Sequence, residues 1–211
     1  INDASAAENT VTATITVGTA PEGIAFDSAN NRMYVANNTD GTVSVIDTTT
    51  NAVTGTITVG TNPYGIAFDS TNNRMYVANS ADDTVSVIDT TTNAVTGPLA
   101  VGAGPWGIAF DSANNRMYVA NFTDDTVSVI DTATNAVTGT ITVGNGPEGI
   151  AFDSANNRMY VTNFADGTVS VIDIAPSSLH CYDCTPPVLQ NAHVTISSND
   201  YVVATGDEPV H

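Results

Sequence analysis

An all-β propeller of four 42-residue, four-stranded blades is the fold this sequence predicts, and three observations predict it. The string Gly-Ile-Ala-Phe-Asp-Ser begins at Gly23, Gly65, Gly107 and Gly149, a period of 42 residues (23 to 65, and so on). Asn-Asn-Arg-Met-Tyr-Val recurs in the same period from Asn30, and Thr-Val-Ser-Val-Ile-Asp recurs from Thr42. Each period is made of short runs of Val, Ile, Thr, Tyr and Phe separated by Asn, Asp, Gly and Pro, with no segment of helical periodicity. A sheet of this kind has two apolar faces and cannot bury them alone, so it must stack on its neighbours.

Within a period the first strand lies around Gly23-Ile24-Ala25-Phe26-Asp27, with small residues at alternate positions, as a crowded innermost strand requires. Ser28-Ala29-Asn30-Asn31 forms the turn, because Asn tolerates positive φ and hydrogen-bonds nearby backbone. Arg32 to Ala36 is the second strand, and Thr42 to Asp47 the third, after an Asp-Gly or Asp-Asp turn. In the fourth strand Val53, Ile57 and Val59 lie on one side and Thr54, Thr56 and Thr58 on the other, the pattern of an outer strand with one solvated face. Tyr34 and Phe26 are expected in the core. The last copy of the fourth strand is missing after Ile174, while Thr10 to Gly18 has that pattern and no blade of its own. Strand 10–18 is therefore expected to complete the blade of residues 149–174, in the same chain or in another, since a bare strand edge invites aggregation.

These residues carry a family resemblance. Tyr160-Val161-Thr162-Asn163 reads YVTN, and Tyr34, Tyr76 and Tyr118 each open the variant Tyr-Val-Ala-Asn. With Pro-x-Gly-Ile-Ala-Phe-Asp before it and Thr-Val-Ser-Val-Ile-Asp after it, residues 10–174 resemble the YVTN β-propeller repeat. The resemblance implies a secreted or cell-surface propeller of the kind found in archaeal surface-layer-like proteins beside immunoglobulin-like modules. Propellers of that family usually have about seven blades, and this chain departs from them with four.

Residues 1–175 are thus expected to form the propeller, and residues 176–211 a short β-rich extension. The extension holds Pro176, Pro186 and Pro187 and both cysteines, and its Thr185-Pro186-Pro187-Val188-Leu189 resembles the opening of an immunoglobulin-like module. It is too short for an independent sandwich. It is expected to dock on its own propeller or to add strands to another chain. Cys181 and Cys184 are disulfide candidates, within or between chains, as suits an extracellular setting. A metal site adding His180 and His193 is the weaker reading.

Charge excludes several classes of function. Lys+Arg number 4 against 22 Asp+Glu, a net charge of -18, and all four cations are arginines. Neither a phosphate-tracking nucleic-acid binder nor a polybasic membrane contact fits such a surface. No apolar run approaches the ~20 residues of a membrane span. The polar stretch Ile1–Asn9 leads to the expectation that any leader peptide was removed or never present.

Enzymatic chemistry is not expected. All three histidines (His180, His193 and His211) lie in the extension, so no imidazole base activates a propeller serine. Arg32, Arg74, Arg116 and Arg158 each lie across a short hairpin from Asp27, Asp69, Asp111 and Asp153, which points to local ion pairs. Asp40, Asp82, Asp124 and Asp166, in the turn after the second strand, are weak calcium candidates and no other cofactor is expected.

The repeats differ mainly in two loops at one end of the blades. Glu22, Tyr64, Trp106 and Glu148 follow the repeated proline, and Phe122 and Phe164 lie in the turn after the second strand. Aromatic rings among carboxylates make these six residues the ligand-face candidates, for a sugar or a protein. Asn37 and Asn121 open glycosylation sequons on the same face. The expected function is an extracellular building block of a surface layer, sheath or filament that self-associates through strand exchange and the extension. The alternative is a monomeric adhesin binding a cell-surface glycan or protein with the aromatic–acidic face.

Overall fold

The computed structural model describes residues 9–174 of the chain. The chain divides into two compact units, Ile1–Pro176 and Ser177–His211, and the description concerns the first. Cys181, Cys184 and the expected β-rich extension lie outside the described residues.

Among the described residues fifteen strands and no helix build four antiparallel sheets, each joining strands in sequence order. Blade 1 is β1 (Pro21–Asp27), β2 (Arg32–Asn37), β3 (Thr42–Asp47) and β4 (Ala52–Thr58). Blade 2 is β5 (Pro63–Asp69), β6 (Arg74–Asn79), β7 (Thr84–Asp89) and β8 (Val95–Ala100). Blade 3 is β9 (Pro105–Asp111), β10 (Arg116–Asn121), β11 (Thr126–Asp131) and β12 (Ala136–Thr142). Blade 4 has three strands, β13 (Pro147–Asp153), β14 (Arg158–Asn163) and β15 (Thr168–Asp173). The arrangement is propeller-like. No helix among the described residues is long and apolar enough to cross a membrane.

Local chemistry sets each turn. Asp27 Oδ1 accepts the N–H groups of Ala29 and Asn30 (3.0 and 3.1 Å), and Asn30 Nδ2 donates to Asp27 Oδ2 (2.8 Å). Asn31 then takes φ 52°, and Asn73, Asn115 and Asn157 repeat it at 52°, 53° and 54°. The aspartates expected to pair with arginine are thus spent on their own turns. The arginines reach the next blade instead: Arg32 Nη1 donates to the Thr90 carbonyl (3.0 Å) and Arg74 Nη1 to the Thr132 carbonyl (2.9 Å). Among the described residues the ion pair that forms is Arg158 Nε to Asp173 Oδ1, 2.7 Å long and exposed.

The core lies between blades. Tyr118, Ala120, Val127 and Val129 of blade 3 pack with Met159 and Val161 of blade 4, with Ile150 and Phe152 against the cluster. The same face-to-face set recurs between blades 2 and 3 and between blades 1 and 2. Inner strands run side by side, β1 on β5, β5 on β9 and β9 on β13. Glycine permits this approach: a Cβ on Gly23, Gly65 or Gly107 would strike the carbonyl oxygen of Tyr64, Trp106 or Glu148 in the next blade.

The two ends of the row depart from the interior junctions. Residues 9–20 form no strand, and among the described residues the sheet of blade 4 stops at β15, so Thr10–Gly18 does not close it within the chain. The end of this segment is latched to blade 1 as the interior linkers are latched to theirs. Gly18 N–H donates to Asn37 Oδ1 (3.1 Å) and Thr19 N–H to Asp40 Oδ2 (2.7 Å), holding this segment to blade 1. The linker into blade 2 is held to its own blade in the same way, by Asn79 (3.2 Å) and Asp82 (2.6 Å). No packing of the β1–β5 kind joins β13 back to β1. Phe26, expected in the core, is consequently exposed, whereas Phe68, Phe110 and Phe152 pack against the clusters.

Candidate functional site

Each inner strand begins with proline, one variable residue and glycine, and its ladder is irregular there, between Pro21 and Ile24, Pro63 and Ile66, and Pro147 and Ile150. The pairing of β9 and β10 is irregular at the same place, between Val119 and Asn121. Such irregularities re-aim the side chain they carry. Here they gather Glu22, Tyr64, Trp106 and Glu148, with their four glycines, around one cavity of about 330 Å³.

Three rings form a continuous stack at this mouth. Tyr64 and Trp106 lie 4.6 Å apart at 9°, and Trp106 and Phe122 lie 4.7 Å apart at 15°. Burial, then the negative charges of Glu22 and Glu148, hold the Tyr64 phenol above its ordinary pKa. The mouth therefore joins aromatic faces to two carboxylates. Phe164 is left out and exposed, because blade 4 carries Glu148 where blade 3 carries Trp106. Residues 9–174 contain no histidine, lysine or cysteine. The mouth can stack, accept hydrogen bonds and attract a cation.

The remaining candidates have structural work. Asn37 is fully buried and its Nδ2 donates to Thr42 Oγ1 and Ser44 Oγ (both 3.0 Å). Asn121 is buried alike, bonded to Thr126 Oγ1 (3.0 Å) and Ser128 Oγ (2.9 Å). A glycan would have to be attached at that nitrogen, so neither sequon is usable in this fold. Asp40, Asp82, Asp124 and Asp166 each sit in a separate blade and accept the N–H of Thr19, Thr61, Ala103 and Asn145 (2.7, 2.6, 2.7 and 2.7 Å). No group of three metal-ligating side chains forms among the described residues. The calcium reading loses its ligands to the latches.

Sequence reasoning missed a second surface, the outward face of blade 4. Tyr160, Val169 and Val171 are exposed, although their counterparts Tyr118, Val127 and Val129 are buried. A groove of about 510 Å³ lined by Gly149, Ala151, Tyr160, Thr162 and Val169 runs across it. At the other end of the row, blade 1 exposes Ile24 and Phe26. The missing fourth strand after Ile174 was the available signal, because it marks the repeat with no successor.

The comparisons bear on the fold. The chain is similar to hydrazine synthase of Kuenenia stuttgartiensis, at 22% identity and a TM-score of 0.65, covering 78% of this chain and 53% of that one. It is also similar to a functionally unknown protein from Desulfotomaculum acetoxidans, at 18% identity and a TM-score of 0.58, covering 72% and 55%. The chain thus spans about half the length of either structure. No protein-family model matches it, and no curated protein does.

Proposed function

We propose that this chain is a structural assembly module of the cell surface or extracellular space, a member of the YVTN-type propellers that acts by self-association and not by catalysis. The observation that carries this reading is the pair of unmatched apolar faces, Tyr160, Val169 and Val171 at one end and Ile24 and Phe26 at the other. Exposed apolar patches on blades whose interior copies are all covered mark an interaction surface. The net charge of -18 keeps such a module soluble before it assembles. Immunogold labelling of intact producing cells, with negative-stain microscopy of the purified protein, tests the reading. Ordered arrays and a labelled protein are expected. An unlabelled protein that never forms an array would end it.

A second reading has its own observation, the Tyr64–Trp106–Phe122 stack beside Glu22 and Glu148. It makes the mouth a binding site for a sugar ring or an organic cation, through stacking or cation–π attraction. Trp106 is the sole tryptophan, so intrinsic fluorescence reports on the mouth directly. A saturable change on titration with oligosaccharides or quaternary ammonium compounds, lost in Glu22→Gln/Glu148→Gln for the cation, supports binding. A flat titration with both classes removes this reading.

A further inference from the structure

We propose that two copies of this chain join head to tail into one closed ring of eight blades, each copy seating its blade 4 face on the blade 1 face of the other. Residues 10–16 of each copy then supply the fourth strand of the other's last sheet. The inference rests on the assembly reading and names its partner.

The chain already contains this interface three times. In its last interior copy, Tyr118, Val127 and Val129 receive Ile150, Phe152 and Met159. Blade 4 offers Tyr160, Val169 and Val171, and blade 1 offers Ile24, Phe26 and Met33, the same residues in the same order. Docking blade 1 of a second copy on blade 4 continues a junction that the sequence has already repeated.

Polar groups match as well. At the interior junction Arg74 Nη1 donates to the Thr132 carbonyl (2.9 Å) and the Tyr76 hydroxyl donates to Asn135 Oδ1 (2.6 Å). The counterparts are Arg158 and Tyr160 on blade 4, and Thr48 and Asn51 on blade 1. Thr90 and Thr132 are fully buried by this contact, while Thr48 and Asn51 remain partly or fully exposed. Lacking a next blade, Arg158 folds onto Asp173. Gly149 tells the same story. Its interior counterparts cannot carry a Cβ because of the next blade's carbonyl, whereas a Cβ there would meet only Thr162, with Oγ1 at 3.1 Å. The open position matches the Glu22 carbonyl of a second copy. Thr162 replaces the buried Ala120 of blade 3. Its hydroxyl is already bonded to the Gly149 N–H (2.8 Å), so docking buries no unpaired polar group there.

The strand follows from the face. Val11 to Gly18 matches Val137 to Gly144 at every position but one, Ala13 for Gly139. Its latches fix Gly18 and Thr19 to blade 1 as Gly60 and Thr61 are fixed to blade 2. Docking of blade 1 therefore carries residues 10–16 to the bare edge of β15, where β12 lies against β11 in blade 3. Propellers close with roughly four to eight blades. Four do not close here, two copies reach eight, and a third would exceed the range.

Light scattering on the full chain should give a dimer as the smallest assembled unit, with any larger assembly built from whole dimers. Monomers at all concentrations, or a ladder that includes odd numbers of chains, would overturn the closed ring. Phe26→Asp and Val171→Asp, at exposed sites on opposite ends, should each weaken dimerisation at least about 30-fold. Mixed one to one, the two variants keep one intact junction and should form a heterodimer. A Phe26→Asp chain that dimerises normally would mean like faces pair, and the proposal fails. Gly149→Ala is the second variant, expected to leave the monomer's melting temperature unchanged and to abolish the dimer; an unchanged dimer counts against docking. A dimer without cell-surface arrays would sink the assembly reading alone, and arrays that survive Phe26→Asp would sink this inference alone.

Discussion

Tyr118 and Tyr160 stand at the same position of successive sheets, each opposite an alanine of the inner strand and a valine of the third. Tyr118 is 2% exposed and Tyr160 is 37% exposed. Neither the residue nor its own sheet differs enough to cause this. The neighbour does: blade 4 covers Tyr118, and nothing among the described residues covers Tyr160 to that degree. Burial in a stacked-sheet protein is a property of the junction, and a terminal blade carries core residues with no core around them.

Truncating both tyrosines should separate the two positions most. Tyr118→Ala should cost roughly 3–5 kcal/mol in a urea titration, the usual toll for emptying a large core site. Tyr160→Ala should cost less than about 1 kcal/mol under conditions that keep the chain monomeric. Equal losses would show that the blade 4 face is covered after all.

Next comes the glycine pair. Gly107→Ala drives a Cβ into the Glu148 carbonyl and should destabilise by about 1–3 kcal/mol. Gly149→Ala, with only the Thr162 side chain nearby, should be almost silent in thermal melts of the monomer.

Alkaline pH probes the buried half of the comparison. Burial pushes the Tyr76 phenol from 10.0 up to about 12, and burial also raises Tyr34 and Tyr118. The folded chain keeps these protons where the unfolded chain releases them. Stability is therefore full below pH 10 and falls as pH climbs from about 10 to about 12. Denaturant midpoints that stay level across that window would contradict the burial of these rings.

The smallest effect belongs to the arginines. Arg74→Ala removes a hydrogen bond to the next blade and should cost about 1 kcal/mol. Arg158→Ala breaks only an exposed pair and should cost less, with the difference from the unsubstituted chain vanishing at high salt.

What could be read from the sequence was local. The third strand was expected at Thr42 to Asp47 and occupies Thr42–Asp47, and the turn at Asn30-Asn31 has the positive φ that Asn invites. Alternation and turn chemistry act over a few residues, so they are visible in any repeat. The mouth was half legible: the variable residues after each proline stood out, but the stacking of Phe122 on Trp106 needs the geometry of two loops. What acts between blades was not legible. Arg32 lies near Asp27 in sequence and instead reaches Thr90 in the next blade. The sequon at Asn37 gave no hint that its amide is buried under Thr42 and Ser44. Closure depends on whether faces at opposite ends of the row meet, and four nearly identical repeats are silent about how many make a turn.

The linker latch has a genetic consequence. Asp82 holds Thr61 and Asp124 holds Ala103, so each blade carries the acceptor for the linker that enters it. The incoming linker needs only its backbone N–H at that point. Every junction is therefore encoded by one period and the end of the period before it, and all periods encode the same fittings. Replication slippage or unequal crossing-over that gains or loses a whole period leaves each surviving junction intact. Blade number in such a gene can drift by recombination alone, without a single compensating point mutation.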